Sequence, residues 1–507
     1  MRNPVSKLPR RAACALACAS LVACTTVGPD YERPPAPLPA AWRATLPEAA
    51  VVADTTWWRA FGDPQLDALI DVALANNKDL LIAAHRIERY AARLDISRAA
   101  AAPEIGYDAN RKRVVRSEEQ PAVLAPGRQP DYNNYAVGLS VAWEFDVWGR
   151  VARANEAARA ELLASEDARR AVMLKVVTDL ASGYVNLLAL DRRLALARET
   201  VDNQREALRI TDIKREGGSA TDIEVVRARA ALDEAQSLLP DLERQVAAAE
   251  NALSALAGRN PGPLPRGRLD DLRLPAVPQG LPSDLLERRP DVLAAEQALV
   301  AANAQIGVAK SQYFPTISLT GTLGLVSDQL RWLTARTARA GELGAGLAGV
   351  LFSGGRIDGD VREAEARRRE MAETYLQAVQ TALHEVEDAL VARATTGDQA
   401  ALRARHLQSL EEVARLARVR QEGGRGTALE VLDAERLVLA ARERQAQGLR
   451  EQYAALVAIY KAMGGGWTVE QDRQGSPSKG VPTAAGAARD TAIPQQTAQA
   501  KDNETRQ

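Results

Sequence analysis

The side chains able to do chemistry are few, and their placement is uneven. All three cysteines, Cys14, Cys18 and Cys24, fall within the first 24 residues, so no disulfide framework, CxxC redox pair or Cys-rich zinc site can exist beyond them. His85, His384 and His406 are the only imidazoles, each alone in a helix-like stretch. No metal site, cofactor or catalytic set is expected from them. Carboxylates are plentiful, with 66 Asp and Glu against 65 Lys and Arg. They would supply a carboxylate-based cell-wall hydrolase, but they form no pocket-like constellation. A net charge of −1 argues against a nucleic-acid binder, which carries a basic excess.

Cys24 is the one position with a definite chemistry. It follows Leu21-Val22-Ala23, which resembles a bacterial lipobox, where small residues precede a cysteine that becomes the acylated first residue. Upstream lie Arg2, Lys7, Arg10 and Arg11, then the apolar run Ala12 to Ala23. Residues 1–23 therefore read as a lipoprotein signal peptide, too short to remain as a bilayer-spanning helix. Acyl chains contribute about 0.8 kcal/mol per buried CH₂, so several of them anchor a protein firmly. Thr25 stands where Asp would resemble the inner-membrane retention signal, which favours the outer membrane.

The elements that must carry this anchor form a unit written twice. At an offset of 212, Asp79 meets Asp291, Ala83 meets Ala295, Ala92 meets Ala304, Pro103 meets Pro315 and Ile105 meets Ile317. At an offset of 206, Gly149-Arg150 meets Gly355-Arg356, Glu216-Gly217-Gly218 meets Glu422-Gly423-Gly424, and Thr221 meets Thr427. The change of register falls between Ile105 and Gly149, where the first copy has the longer loop. A period this long is a duplicated domain, not a solenoid unit. The plan is a signal peptide over 1–23, an extended lipid-anchored segment over 24–63 and a first repeat over 64–259. A Pro/Gly-rich linker over 260–282, a second repeat over 283–467 and a polar, disordered tail over 468–507 complete it.

Each repeat contains a long helix. Val151 to Arg215 holds no proline and one glycine, and would run roughly 97 Å. Met173, Leu180, Leu187, Leu194, Val201 and Leu208 recur every seven residues, the stripe of a helix packed lengthwise against a neighbour with left-handed coiling. Its counterpart, Ile357 to Gln421, has a weaker stripe. Shorter helices follow over 221–257 and 427–463, and others precede over 64–102 and 283–312. Between them lie strands. Tyr135, Val137, Leu139, Val141, Trp143 and Phe145 alternate with Ala136, Gly138, Ser140, Ala142 and Glu144. Ile317, Leu319, Leu323 and Leu325 alternate with Thr316, Ser318, Thr320 and Thr322. Weaker alternation occurs at Ile105 and Tyr107 and at Leu343, Leu347 and Leu351. An apolar face opposite a small, polar one is the lipid-out, lumen-in pattern of a membrane barrel, and strands of about 9–11 residues cross a bilayer at a tilt.

Two strands per repeat give four per chain. Open edges in lipid cost several kcal/mol per unpaired group, and the smallest usual barrel has eight strands. One chain cannot close; two or three can. An elongated periplasmic or outer-membrane scaffold lipoprotein without channel activity would explain the helices, but not the strands.

Specific motifs narrow this further. Cys24-Thr25-Thr26-Val27-Gly28-Pro29-Asp30-Tyr31 with Arg33-Pro34, then Trp57-Trp58 leading to Phe61-Gly62-Asp63-Pro64, and above all the segment Leu281 to Gly321 resemble the outer-membrane factor (TolC) family of Gram-negative efflux systems, in its OprM/NodT-type lipoprotein branch. The resemblance covers Cys24 to Trp467. It implies a mainly α chain with a transmembrane β part: a homotrimer in which four strands per chain build a 12-stranded barrel in the outer membrane, continued by an α-helical tunnel into the periplasm. Its implied partners are outer-membrane lipid, a periplasmic adaptor and an inner-membrane pump, usually of the resistance-nodulation-division type. The implied function is a passive exit channel, without a catalytic site.

Two turns join the long helices to the shorter ones. Gly217 and Gly218, and again Gly423 and Gly424, suit the end of a helix, while Thr221 and Thr427 suit the start of the next. The resemblance adds that these tips meet the adaptor and form the closed end of the tunnel. Glu430 and Asp433 match the family's acidic rings at that constriction, and a spacing of three puts them on one helix face. Glu430 has a longer arm than that pattern expects. Gly426 occupies the place expected for a locking arginine and Arg425 precedes it, so an Asp222–Arg425 pair is the expected closed-state lock.

Overall fold

The computed structural model of the chain describes residues 26–39, 41–42, 56–115, 131–275 and 285–465. Cys24, the signal segment and the tail lie outside the described residues. The pattern predicts a single helix over 64–102, and the chain forms two, α1 (Pro64–Asn76) and α2 (Lys78–Ala99). Asp63 caps α1, accepting from the Gln65 N–H at 2.8 Å, with Pro64 at the first helical position, where its missing N–H costs nothing. Asn77 makes the break. Its side-chain oxygen accepts from Leu80 N–H at 3.1 Å, while its amide donates to the Leu256 carbonyl at 2.8 Å. A tertiary contact therefore fixes an interruption that local periodicity does not carry.

Two antiparallel strands follow, β1 (Glu104–Val114) and β2 (Tyr132–Phe145). Helix α3 (Arg150–Glu216) and helix α4 (Asp222–Leu256) form the first hairpin. The segment predicted as one helix over 283–312 is α5 (Leu285–Arg288) and α6 (Pro290–Ser311). Pro290 forces the residue before it out of helical geometry, and Arg289 is extended. Strands β3 (Thr316–Ser327) and β4 (Arg339–Ala348) and the second hairpin, α7 (Arg356–Glu422) with α8 (Ala428–Ala462), complete the order. The long helices α3 and α7 are each 67 residues and α4 and α8 each 35, so the two hairpins match in helix length.

All four strands join one antiparallel sheet in the order β1-β2-β3-β4. Its register puts Ile105 opposite Val141, Tyr107 opposite Leu139, Leu139 opposite Leu323 and Ile317 opposite Leu347. Directly opposed residues share a face, so the odd-numbered apolar residues of all four strands share one side. The even-numbered side carries Asp108, Ser140, Thr320, Thr322 and several glycines. Leu351, expected to continue the β4 alternation, lies beyond the strand's end at Ala348. There the chain turns through Gly354 and Gly355, both at positive φ, into α7.

The core sits where the N-terminal helices and the linker cover the middle of α3. Trp57 stacks on Tyr460 with ring centroids 4.6 Å apart, and Phe61 meets Tyr453 edge-on at 5.6 Å. Leu180, Leu187, Leu188, Leu253 and Leu299 are fully buried in the same cluster. Tyr184 of α3 donates to Asp63 at 2.6 Å and accepts from the Gly267 N–H at 2.9 Å, tying α1 and linker to one face of the long helix. Helices α3 and α6 each contain an 18-residue stretch with mean hydropathy 1.3. Over half of each stretch is buried inside the fold, which accounts for that composition as core.

Candidate functional site

The helical tips are built by capping. At the first, the Gly217 N–H donates to the Ile213 carbonyl at 3.0 Å and the Ser219 N–H to that of Lys214 at 2.8 Å, with Gly218 at φ +73°. This left-handed residue closes the helix at a conformation that costs other residues about 1 kcal/mol or more. Thr221 then starts α4. It accepts from the Glu224 N–H at 3.4 Å, and Glu224 accepts from the Thr221 N–H at 2.6 Å and from its hydroxyl at 3.0 Å. This is a complete capping box. The hydrogen bond from the Thr221 backbone holds the Glu224 carboxyl below its ordinary range.

The second tip repeats the fold of the chain but not the bonding. The Gly423 N–H donates to the Val419 carbonyl at 3.1 Å, the Arg425 N–H to that of Arg420 at 2.8 Å, and Gly424 has φ +69°. Thr427 accepts from the Glu430 N–H at 3.2 Å, and among the described residues no reciprocal bond closes the box. The Glu430 carboxylate folds back instead toward Gly426, where an added Cβ would lie 3.2 Å from its oxygen. Glycine at 426 thus gives the longer acid its room.

Glu430 and Asp433 are both exposed, one turn apart on α8. Asp433 has no ion pair among the described residues. Asp222 lies 3.8 Å from Arg215 of its own tip, and within one chain it is not paired with Arg425. The Arg425 carbonyl instead accepts from the Arg420 guanidinium at 3.3 Å. Charges without a local sequence signal tie the helices together: within the second hairpin Arg418 to Glu435 at 2.9 Å and Arg442 to Glu411 at 3.0 Å, and between hairpins Arg442 to Glu199 at 3.5 Å. Arg442 bridges α8 to both long helices. No local spacing announces it, because the pair depends on which helices are neighbours.

At the other end, the segment Thr26–Asp30 docks where strands become helices. The Val27 N–H donates to the Trp148 carbonyl at 3.0 Å. The buried Arg153 reaches the Asp30 carboxylate at 2.8 Å, and Arg33 holds the buried Glu296 of α6 through two bonds, at 2.6 and 2.8 Å. A Cβ on Gly149 would come within 2.6 Å of the Thr26 side chain. Residue 26, two positions beyond Cys24, is therefore pinned at the base of the sheet.

Comparison with known proteins gives a consistent result. The family model for outer membrane efflux proteins matches twice, over residues 69–259 and 281–465. The chain is 33% identical over 456 residues to the pyoverdine export outer membrane protein OpmQ of Pseudomonas putida, covering 89% of this chain and 96% of that protein. It is 35% identical over 462 residues to the outer membrane protein OprJ of Pseudomonas aeruginosa, covering 88% and 94%. The crystal structure of the CmeC outer membrane channel of Campylobacter jejuni superposes with a TM-score of 0.82 at 26% identity, over 88% of this chain and 96% of that one.

Proposed function

The chain belongs to the outer membrane efflux protein family, and from that premise we propose how its own residues build and gate an exit duct. It is the outer-membrane exit channel of an efflux system, passing on what an inner-membrane pump delivers. The sheet carries this reading: it sets a face rich in large apolar residues against a small, more polar one and leaves β1 and β4 each paired on one side within the chain. In lipid those edges must be satisfied by further copies.

Three copies would close a 12-stranded barrel, continued by a tunnel of six helical hairpins. The duplication supports this arrangement. Among the hairpin helices, α3 is flanked by α4 and by α8, whereas α7 is flanked by α8 alone, with α6 packed beside it. Leu196 of α3 is 3% exposed; its counterpart Leu402 of α7 is 57% exposed. The second half thus leaves bare the flank that the first half covers, and α4 of the next copy is the element to fill it. Cys24 would be acylated, and the docking of Thr26 at the base of the sheet supports an anchor at membrane level. The family is one of efflux channels, and we infer no catalytic step.

The tip turns Gly217, Gly218, Thr221, Gly423, Gly424 and Thr427 would meet a periplasmic adaptor that joins the channel to a pump of the resistance-nodulation-division type. Glu430 and Asp433 would form rings of like charge around the threefold axis, attracting cations at the narrow end. Asp222 and Arg425, unpaired with each other inside one chain, would meet between chains as the closed-state lock. Planar-bilayer recording of the purified protein tests these roles. Asp222→Ala or Arg425→Ala should raise single-channel conductance; unchanged conductance in both would remove the lock. A protein that gives no channels at any voltage would remove the duct.

A further inference from the structure

A cleft of about 710 Å³ opens between α4, α3 and α8, with Leu190 on its floor and Arg193, Arg244, Arg444 and Arg450 around it. Glu443 is the one acid in the lining. Arg244 is paired with Asp241 at 2.6 Å. Arg193, Arg444 and Arg450 have no ion pair or hydrogen bond among the described residues; Asp241, already paired with Arg244, also feels the charge of Arg193. The four guanidiniums of the cleft therefore outnumber the two carboxylates beside them, Asp241 and Glu443. Guanidiniums that line one cleft in excess of its carboxylates repel one another unless an anion sits between them.

The side of the wall on which the cleft lies follows from helix geometry. Asp191 of α3 bonds the linker residue Arg266 at 3.0 Å, and Glu250 of α4 binds the same guanidinium. Arg193 stands roughly 200° around α3 from Asp191, and Arg244 roughly 120° around α4 from Glu250. On α8, Tyr453 bonds the linker carbonyl of Leu272 at 2.7 Å; Arg444 stands roughly 180° from it and Arg450 roughly 60°, so Arg450 reaches the cleft from its rim. The linker layer covers one face of the helical wall and the cleft opens on the other. Three copies of that layer inside a tube would plug it, so the layer is outside and the cleft faces the bore.

We propose that this cleft is an anion-binding station in the tunnel wall, taking multivalent oxyanions, whether carboxylate or phosphate. The inference rests on the duct reading for its place in the bore. Guanidinium forks match the two oxygens of such groups and hold them through paired hydrogen bonds. The duplication supplies an internal comparison. At the positions 206 residues away, Gln399 replaces Arg193 and Leu238 replaces Arg444. The counterpart cleft between α7 and α4 of the next copy would therefore lack two of the arginines, giving three cationic stations around the bore where the helices alone repeat six times.

Isothermal titration calorimetry on the full chain in detergent, with citrate and separately with pyrophosphate, tests the site. At least one probe should bind the wild-type protein. The combined variant R193Q/R444Q/R450Q should weaken that binding tenfold or more, while the matching lysine variant keeps part of it. Arg198→Gln, which removes a pair with Glu243 at 3.0 Å on the linker side, should leave it unchanged. A wild-type protein that binds neither probe, or a combined variant that binds as well as wild type, overturns the site. Bilayer recording then tests the placement. The bound probe should reduce wild-type current and leave the glutamine variant's current unaltered; binding without any reduction overturns the bore-facing position. If no protein conducts, the duct reading fails, and calorimetry still decides the binding site.

Discussion

Val185 and Val391 occupy the same position of the two long helices, 206 residues apart, yet Val185 is 1% exposed and Val391 46%. Leu187 is fully buried while Arg393 takes its place in the second copy. The two hairpins match in length and backbone and differ in company. Helix α3 runs through the core, packed by α4, α6 and α8, with the linker and N-terminal helices over its middle. Helix α7 has a bare flank at the positions where α3 is covered. A soluble monomer would have polar residues there. This chain keeps Val391 and Leu402, and exposed apolar contour on a regular helix points to association. The first half reads as a completed wall and the second as its unfinished edge.

Substitutions at matched positions can break this comparison. Leu187→Ala should cost about 3 kcal/mol of fold stability through the cavity it leaves, measured by loss of helical circular dichroism on heating the detergent-solubilised protein. Combining Val391→Asp with Leu402→Asp should leave helix content intact and convert the assembly to single chains in size-exclusion chromatography with light scattering. A double variant that stays assembled would mean that the bare flank is not the subunit contact.

A smaller effect is expected where both halves taper. Glu430→Gln with Asp433→Asn should weaken divalent-cation block of the channel several-fold, because the acids of the second tip lose their charge; block that persists unchanged would move the constriction elsewhere. At the turns themselves, Thr221→Ala should cost about 1 kcal/mol of local stability and Thr427→Ala less, since the first tip has the reciprocal box and the second has half of it. Amide exchange at the tips reads both. Acid should act in the same direction. The Glu224 carboxyl has a depressed folded value, so its contribution is present above the unfolded value, about 4.3, and is lost as pH falls through the folded one. The first tip should therefore fray in acid.

Much of the molecule was legible in the sequence for identifiable reasons. The strands could be read because a sheet in lipid must alternate, and Tyr135 to Phe145 does so without a fault. The tips could be read because Gly-Gly followed by Thr is the chemistry of ending one helix and starting another. The breaks at Asn77 and Arg289 were harder. Asn77 looks like an ordinary helix residue until its amide meets the Leu256 carbonyl from a distant helix. Pro290 marks the second break, but its place at the start of α6 emerges only once Arg289 is seen holding Asp291 at 2.6 Å and the Ala462 carbonyl at 3.1 Å. The charge links of Arg442 and the cationic cleft depend on α3 and α8 being neighbours, which no spacing within either helix states. The lipid anchor stands differently. Cys24 lies outside the described residues, and the proposal that it is acylated rests on its motif and on the docking of Thr26 nearby. Metabolic labelling with palmitate should mark the wild-type chain and leave Cys24→Ala unlabelled.

The central claim is that one chain is a third of a closed tube. Native mass spectrometry of the mature protein released from detergent measures this most directly. The account predicts a particle of three chains that survives dilution and falls to single chains in the Val391→Asp, Leu402→Asp variant. A wild-type particle of one or two chains would contradict it, because four or eight strands with this bare flank would then have to close without a third copy.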